Sequence, residues 1–240
     1  MAQTSGFSLL GSQPVRFFDD RESTLQSAEL QMKPRPNYAH RIAKEYGGIL
    51  PYHRIFYIRS IRFSAGRATA AFARLRECLP NERTEADTEE AIFTLQEALG
   101  HCAAVSRYFW PISDDKLAVS RAKNLRTTFD LDEADPLFTV RAVRNAVEHF
   151  DERLDRFCSR DPVGTIFDLI VTDNSLADEQ VTHVLRLADP WAEIFVLFGK
   201  KHSYAGLEDS IRRIHAQSRR MDEAGARLHA VHQTAGESGQ

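Results

Sequence analysis

Leu137–Arg160, LFTVRAVRNAVEHFDERLDRFCSR, carries the cleanest helical repeat in the chain. Val140, Val143, Val147, Phe150, Leu154 and Phe157 succeed one another at spacings of 3, 4, 3, 4 and 3. Side chains so spaced line one side of a helix, so the stretch predicts a single helix, central to a bundle. Arg144, Asn145 and His149 stand off that stripe, and core packing does not account for them. At about 100° per residue, Asn145 points nearly opposite the core, and Arg144 and His149 lie roughly 140° apart on either flank.

Three further helices are predicted upstream. Tyr52–Leu79 repeats Ile55, Ile58, Ile61 or Arg62, Ala65, Ala68, Phe72 and Leu75, and stops at Pro80-Asn81. A second, capped by Asp87 or Thr88, turns Ile92, Leu95, Leu99, Cys102, Val105 and Phe109 inward and ends before Pro111. A third starts at Ser113-Asp114-Asp115 and carries Leu117, Ala118, Ala122, Leu125 and Phe129; Asp130–Pro136 then turns into the fourth. Short linkers between long helices favour antiparallel neighbours.

Beyond Cys158 the period changes. Thr165–Val171, Val181–Leu187 and Ala192–Phe198 are rich in β-formers, with Ala188-Asp189-Pro190-Trp191 between the last two, and a helix follows over Gly206–Met221 with Leu207, Ile211 and Ile214 or His215 inward. The predicted fold is mainly α: an antiparallel bundle of four core helices with a small C-terminal antiparallel β-sheet and a closing helix. Residues 1–50, punctuated by Pro and Gly, read as an irregular N-terminal arm, packed through Phe17 and Phe18 and briefly helical at Glu22–Met32. The bundle takes 51–160 and the sheet and helix 161–221, as an appendage of the same domain because three short strands do not support themselves. Residues 222–240 read as a disordered tail.

Composition sets bounds. The 240 residues, 42% hydrophobic and 27% charged, are those of an ordinary globular chain. No apolar run approaches the roughly 18–20 residues that span a bilayer, and the N-terminus lacks a secretory pattern. Cys78, Cys102 and Cys158 fall on or near apolar helical positions, which reads as buried reduced thiols in a cytoplasmic protein. A net charge of −3 gives no global attraction to nucleic acid, so RNA binding needs a local patch.

Such a patch is offered by the first helix, where Arg54, Arg59, Arg62, Arg67, Arg74 and Arg76 occur without an acid between Tyr52 and Arg76. Arg59, Arg62 and Arg67 are the candidate phosphate-binding residues; in the competing reading the arginines solvate the outer face or pair with the acidic linkers 82–90 and 130–135. No Walker loop, dinucleotide fingerprint, Cys-x-x-Cys or His-Glu-x-x-His occurs, and no cofactor or metal is expected; His229-x-x-His232 lies in polar tail sequence without carboxylates at useful spacing.

Arg144, four residues, then His149, with Asn145 directly after the arginine, resembles the signature of the HEPN superfamily (higher eukaryotes and prokaryotes nucleotide-binding). The longer string RNAVEHFDERLD is similar to uncharacterised bacterial helical proteins sharing that feature. The same gap separates Arg35 from His40 and Arg227 from His232, so the resemblance rests on Asn145 and on the periodic helix around the motif. It implies a helical bundle and metal-independent RNA cleavage at a dimeric, toxin-like site. Arg144 would hold the scissile phosphate, His149 would act as general acid or base, and Asn145 would orient them. The expected partners are RNA, an antitoxin or other protein, and a second copy meeting through the 137–160 helix, with no membrane role. Two rivals stay open: a non-catalytic bundle binding nucleotide, RNA or protein, and a helical scaffold with no nucleic-acid role. For these, Arg144 and Glu148 are an i, i+4 ion pair in a solvated face.

Overall fold

The computed structural model describes residues 36–79 and 84–225. Phe17, Phe18, the Glu22–Met32 helix, the Pro80-Asn81 stop, Arg35, Arg227, and His229 and His232 with the tail from 226 all lie outside the described residues. The chain divides at Ala39/His40; of the first unit only Pro36–Ala39 are described, as the first turn of α1.

Mainly helical as expected, the described residues form seven α-helices and four strands. The helices are α1 (Pro36–Glu45), α2 (Arg54–Glu77), α3 (Glu85–Phe109), α4 (Lys116–Phe129), α5 (Val140–Glu148), α6 (Phe150–Cys158) and α7 (Leu207–Glu223). The strands are β1 (Thr165–Val171), β2 (Thr182–Asp189), β3 (Ile194–Leu197) and β4 (Lys200–Ser203).

The arm expected to be irregular to residue 50 is helical from Pro36. Proline is tolerated in a first helical turn, and no breaker follows until Gly47-Gly48. Both glycines take positive φ, +59° and +82°, and the Gly48 N–H donates to Ile42 O at 3.1 Å, ending α1. A Cβ on Gly48 would sit 2.2 Å from the Arg121 backbone nitrogen, so only glycine lets this loop approach α4 so closely.

The central helix is α3, not the 137–160 stretch. Its expected inward set, Ile92, Leu95, Leu99, Cys102, Val105 and Phe109, is wholly buried, and α3 packs against α2, α4, α5 and β1. It begins earlier than Asp87: Thr84 is the N-cap, its hydroxyl accepting from Asp87 N at 3.2 Å while the Asp87 carboxylate accepts from Thr84 N at 2.9 Å. Asp87, three residues into the helix, closes this reciprocal box rather than starting the helix itself. Along α2, Ile58, Ile61, Ala65, Ala68, Ala71, Phe72 and Leu75 are buried, which settles Ile61 over Arg62, while Phe56 and Phe63 are exposed on the opposite face. Asp115 caps α4, accepting from Leu117 N and Ala118 N.

The predicted single helix over Leu137–Arg160 is broken. A short 3-10 turn at Pro136–Phe138 precedes α5, and His149, at φ −106° and ψ 34°, separates α5 from α6. No Pro or Gly causes the break; the stripe serves two partners. Val140, Val143 and Ala146 enter the bundle core, whereas Phe150 turns to the sheet, its ring centroid 4.9 Å from that of Phe198 and 4.5 Å from the Arg186 guanidinium. Phe157 packs edge-on to His183, ring centroids 5.4 Å apart.

A small C-terminal sheet stands as expected, but it is mixed. β1 pairs with β2 in parallel, Thr165 against Thr182 through Val171 against Ala188, whereas β2–β3 and β3–β4 are antiparallel. Residues 172–181, with a 3-10 turn at Asn174–Asp178, make the crossover that a parallel pair requires. β4 escaped the sequence reading because Lys-Lys-His-Ser lacks β-formers. It is held by a two-residue turn, Phe198-Gly199, with φ of +49° and +73°. That conformation costs a residue with a Cβ about 1–2 kcal/mol, offset here by the Phe198 ring against Phe150. At the end of β2, Asp189 is buried and accepts from Asn174 N and Nδ2, Trp191 N and Ala192 N. Burial opposes its charge, but these donations outweigh it and hold the carboxyl below the ordinary aspartate range.

α7 closes the bundle against α2, burying Leu207, Ile211 and Ile214 rather than His215. It runs past Met221 to Glu223, so the tail does not begin at Asp222; that carboxylate is nearly buried and pairs with Arg59 and Arg62. Asp135, also buried, caps Leu137 N and accepts from Ser210 Oγ at 2.7 Å and Arg213 Nη2 at 2.6 Å, tying the start of the 137–160 stretch to α7.

Candidate functional site

Arg144 extends from α5 toward α3. Its side chain is 19% exposed and lines a pocket of about 240 Å³ with Gln96, Leu99, Gly100, Arg107, Val147 and Glu148. The guanidinium donates to one Glu148 carboxylate oxygen through Nε at 2.6 Å and through Nη2. Arg107 Nη2 lies 3.9 Å from the same oxygen, so one carboxylate faces two arginines. The i, i+4 pair read in the sequence as the structural alternative is therefore formed.

Asn145 is exposed, and its backbone carbonyl accepts the His149 N–H at 3.3 Å across the break. The His149 side chain is 58% exposed, and its Nδ1 lies 3.2 Å from Glu152 Oε1. A carboxylate only accepts, so Nδ1 is the donor in this contact. His149 does not line the Arg144 pocket. Within one chain the motif's cation lines this pocket and its imidazole does not.

Of the candidate phosphate-binding arginines, two are engaged within the fold. Arg59 Nε donates to Asp222 Oδ1 at 2.9 Å, and Arg62 pairs with the other oxygen. Arg67 is exposed. Arg74 pairs with Glu97 and Arg76 with Glu208. The expectation that these arginines pair with acids holds for four of them, but the partners come from α7 and α3 rather than from linkers 82–90 and 130–135.

Sequence reasoning missed the arginines gathered at the C-terminal end of α3. Arg126 donates to Phe109 O, Arg141 Nη1 to Trp110 O at 3.3 Å, and Arg121 Nη2 to Arg107 O at 3.4 Å. These carbonyls have no partner within the helix, and guanidiniums from α4 and α5 satisfy them and offset the negative helix end. No local signal marks residues that converge only after three helices pack.

Among the described residues no three His, Cys, Asp or Glu side chains converge as metal ligands. Cys102 is buried, and burial pushes its thiol far up, away from nucleophilic character. Cys78 is half-buried and also raised, by burial first and then by Glu90, Asp87 and Glu77. Cys158 is exposed, contrary to the expectation of three buried thiols, because α6 turns Phe150, Leu154 and Phe157 inward and leaves its last residue outside. A larger cavity of about 450 Å³, walled by Phe157, Val163, His183 and Phe198, lies where α6 meets the sheet and contains none of the motif residues. No helix among the described residues is long and apolar enough to cross a membrane. No family model, curated protein or solved structure matches the chain.

Proposed function

We propose that the chain is a HEPN-like bundle that cleaves RNA without a metal, at a site completed by a second copy. The observation that carries this reading is the break at His149. It sets an exposed imidazole five positions after Arg144, with Nδ1 against Glu152 and Nε2 open to substrate. Nε2 would take the proton from a ribose 2′-hydroxyl; the 2′-oxygen would attack the adjacent phosphorus and the 5′-oxygen would leave, taking a proton from water, to give a 2′,3′-cyclic phosphate and a 5′-hydroxyl. Glu148 occupies the Nε and Nη2 donors of Arg144, leaving Nη1 for a phosphate oxygen. Because His149 does not line the Arg144 pocket of its own chain, a second Leu137–Arg160 segment would supply the missing partner across a two-fold axis. A cytoplasmic setting and control by an antitoxin-like protein accompany this reading, with Arg67 as an outlying phosphate contact.

A second reading, a non-catalytic bundle that binds RNA, nucleotide or a protein, is favoured by the closed Arg144–Glu148 pair. Structured RNA incubated with the protein in excess EDTA separates the two. The nuclease reading expects cyclic-phosphate ends and a loss of about a hundredfold or more in both His149→Ala and Arg144→Ala. Cleavage equal in all three proteins, or absent from the wild type, rejects it.

A further inference from the structure

We propose that Arg107, Arg121, Ser64 and Tyr108 form a phosphate-binding site in the groove between α2, α3 and α4. With Ala104 they line a pocket of about 260 Å³, and no Asp or Glu is among its lining residues. That donor set fits a tetrahedral oxyanion: arginines supply paired N–H donors and charge, and hydroxyls supply further donors.

Arg121 provides the independent observation. Its Nε is shielded from solvent and donates to no acceptor. A buried donor left unpaired is costly, so natural structures seldom keep one without a use. The guanidinium is also held in place. It lies 5.7 Å from the Tyr57 ring centroid, Tyr57 packs edge-on to Tyr108 at 6.3 Å, and Gly48 presses on the Arg121 backbone. Arg121 also caps α3 through Nη2 on Arg107 O, a long bond at 3.4 Å that leaves Nε without an acceptor. A helix C-terminus repels anions, but Arg121, Arg126 and Arg141 offset that partial charge. Ala104 leaves the floor of the groove open.

Arg107 joins this pocket to the one holding Arg144, since it lines both. Two phosphates of one strand could therefore be held side by side, although the site does not depend on His149 being catalytic. A free phosphate and an RNA backbone phosphate present the same oxygens, and the experiment separates them.

The full chain would be titrated calorimetrically with inorganic phosphate against chloride at matched ionic strength, and with a trinucleotide of RNA lacking terminal phosphates. Saturable one-to-one binding of either is expected, weakened about tenfold or more by Arg121→Gln. Ser64→Glu would place a carboxylate between the arginines, abolishing binding while holding or raising the melting temperature, so lost binding cannot be ascribed to unfolding. Lys123→Gln, which removes a nearby exposed charge, should bind as the wild type does. Binding of phosphate alone assigns the site to a free phosphate or terminal monoester; mutually exclusive binding of trinucleotide and phosphate assigns it to the RNA backbone. No saturable binding of either probe, or binding untouched by Ser64→Glu and Arg121→Gln, overturns the proposal. Neither result bears on cleavage, which the His149 and Arg144 variants report.

Discussion

α3 and the Leu137–Arg160 segment have the same helical period in sequence and different fates in the fold. α3 is one unbroken helix of 25 residues with its inward set fully buried. The other is cut at His149 into two nine-residue helices, the second of which buries no residue completely. α3 packs against α2, α4, α5 and β1 as one continuous helix, burying residues from Ala91 to Phe109. The 137–160 stripe is shared between the bundle core and the β-sheet, which do not lie in line. Periodicity therefore specifies which side chains face inward, but not that they face the same partner.

The largest expected contrast is in core truncation. Leu99→Ala should cost about 2–5 kcal/mol in urea unfolding and Leu154→Ala, at a half-buried position, under about half as much. Equal losses would dissolve the distinction between the two regions. Next, Phe150→Ala should cost about 1–3 kcal/mol and, by releasing the hold of Phe198 and Arg186, raise amide exchange across 148–153 while leaving α3 protected. Exchange rising equally in α3 would mean that the two regions open as one unit.

A smaller effect is expected at the sheet. The Asp189 carboxyl is depressed in the folded state, so its contribution is full above the ordinary aspartate pKa. It fades as pH falls through the lower folded value. Asp189→Asn should flatten the acid limb of the stability profile; an unchanged slope would remove Asp189 as its source. Smallest of all, Arg67→Ala on the exposed face of α2 should stay within about 0.5 kcal/mol of the wild type, read from the same unfolding curves.

How much of this was legible in sequence follows the range of each interaction. The inward faces of α2, α3 and α4, the β1 limits and the closing helix were written locally, because side-chain period and turn residues act over a few positions. Thr84, rather than Asp87 or Thr88, caps α3, because the box pairs Thr84 with Asp87 three residues on, a partnership that a search for a lone cap passes over.

Tertiary structure decided the rest. The His149 break depends on Phe150 meeting Phe198 and Arg186 from β2 and the β3–β4 turn. The parallel β1–β2 pair depends on a crossover whose direction no residue in 172–181 states. Asp222 became the partner of Arg59 and Arg62 only when α7 packed along α2, and Arg107, Arg121 and Ser64 share a groove because three helices meet there. Sequence by itself determined the helical faces and the motif's residues, through local backbone periodicity. Which surfaces those faces meet, and which cations remain available to an anion, was left to long-range packing.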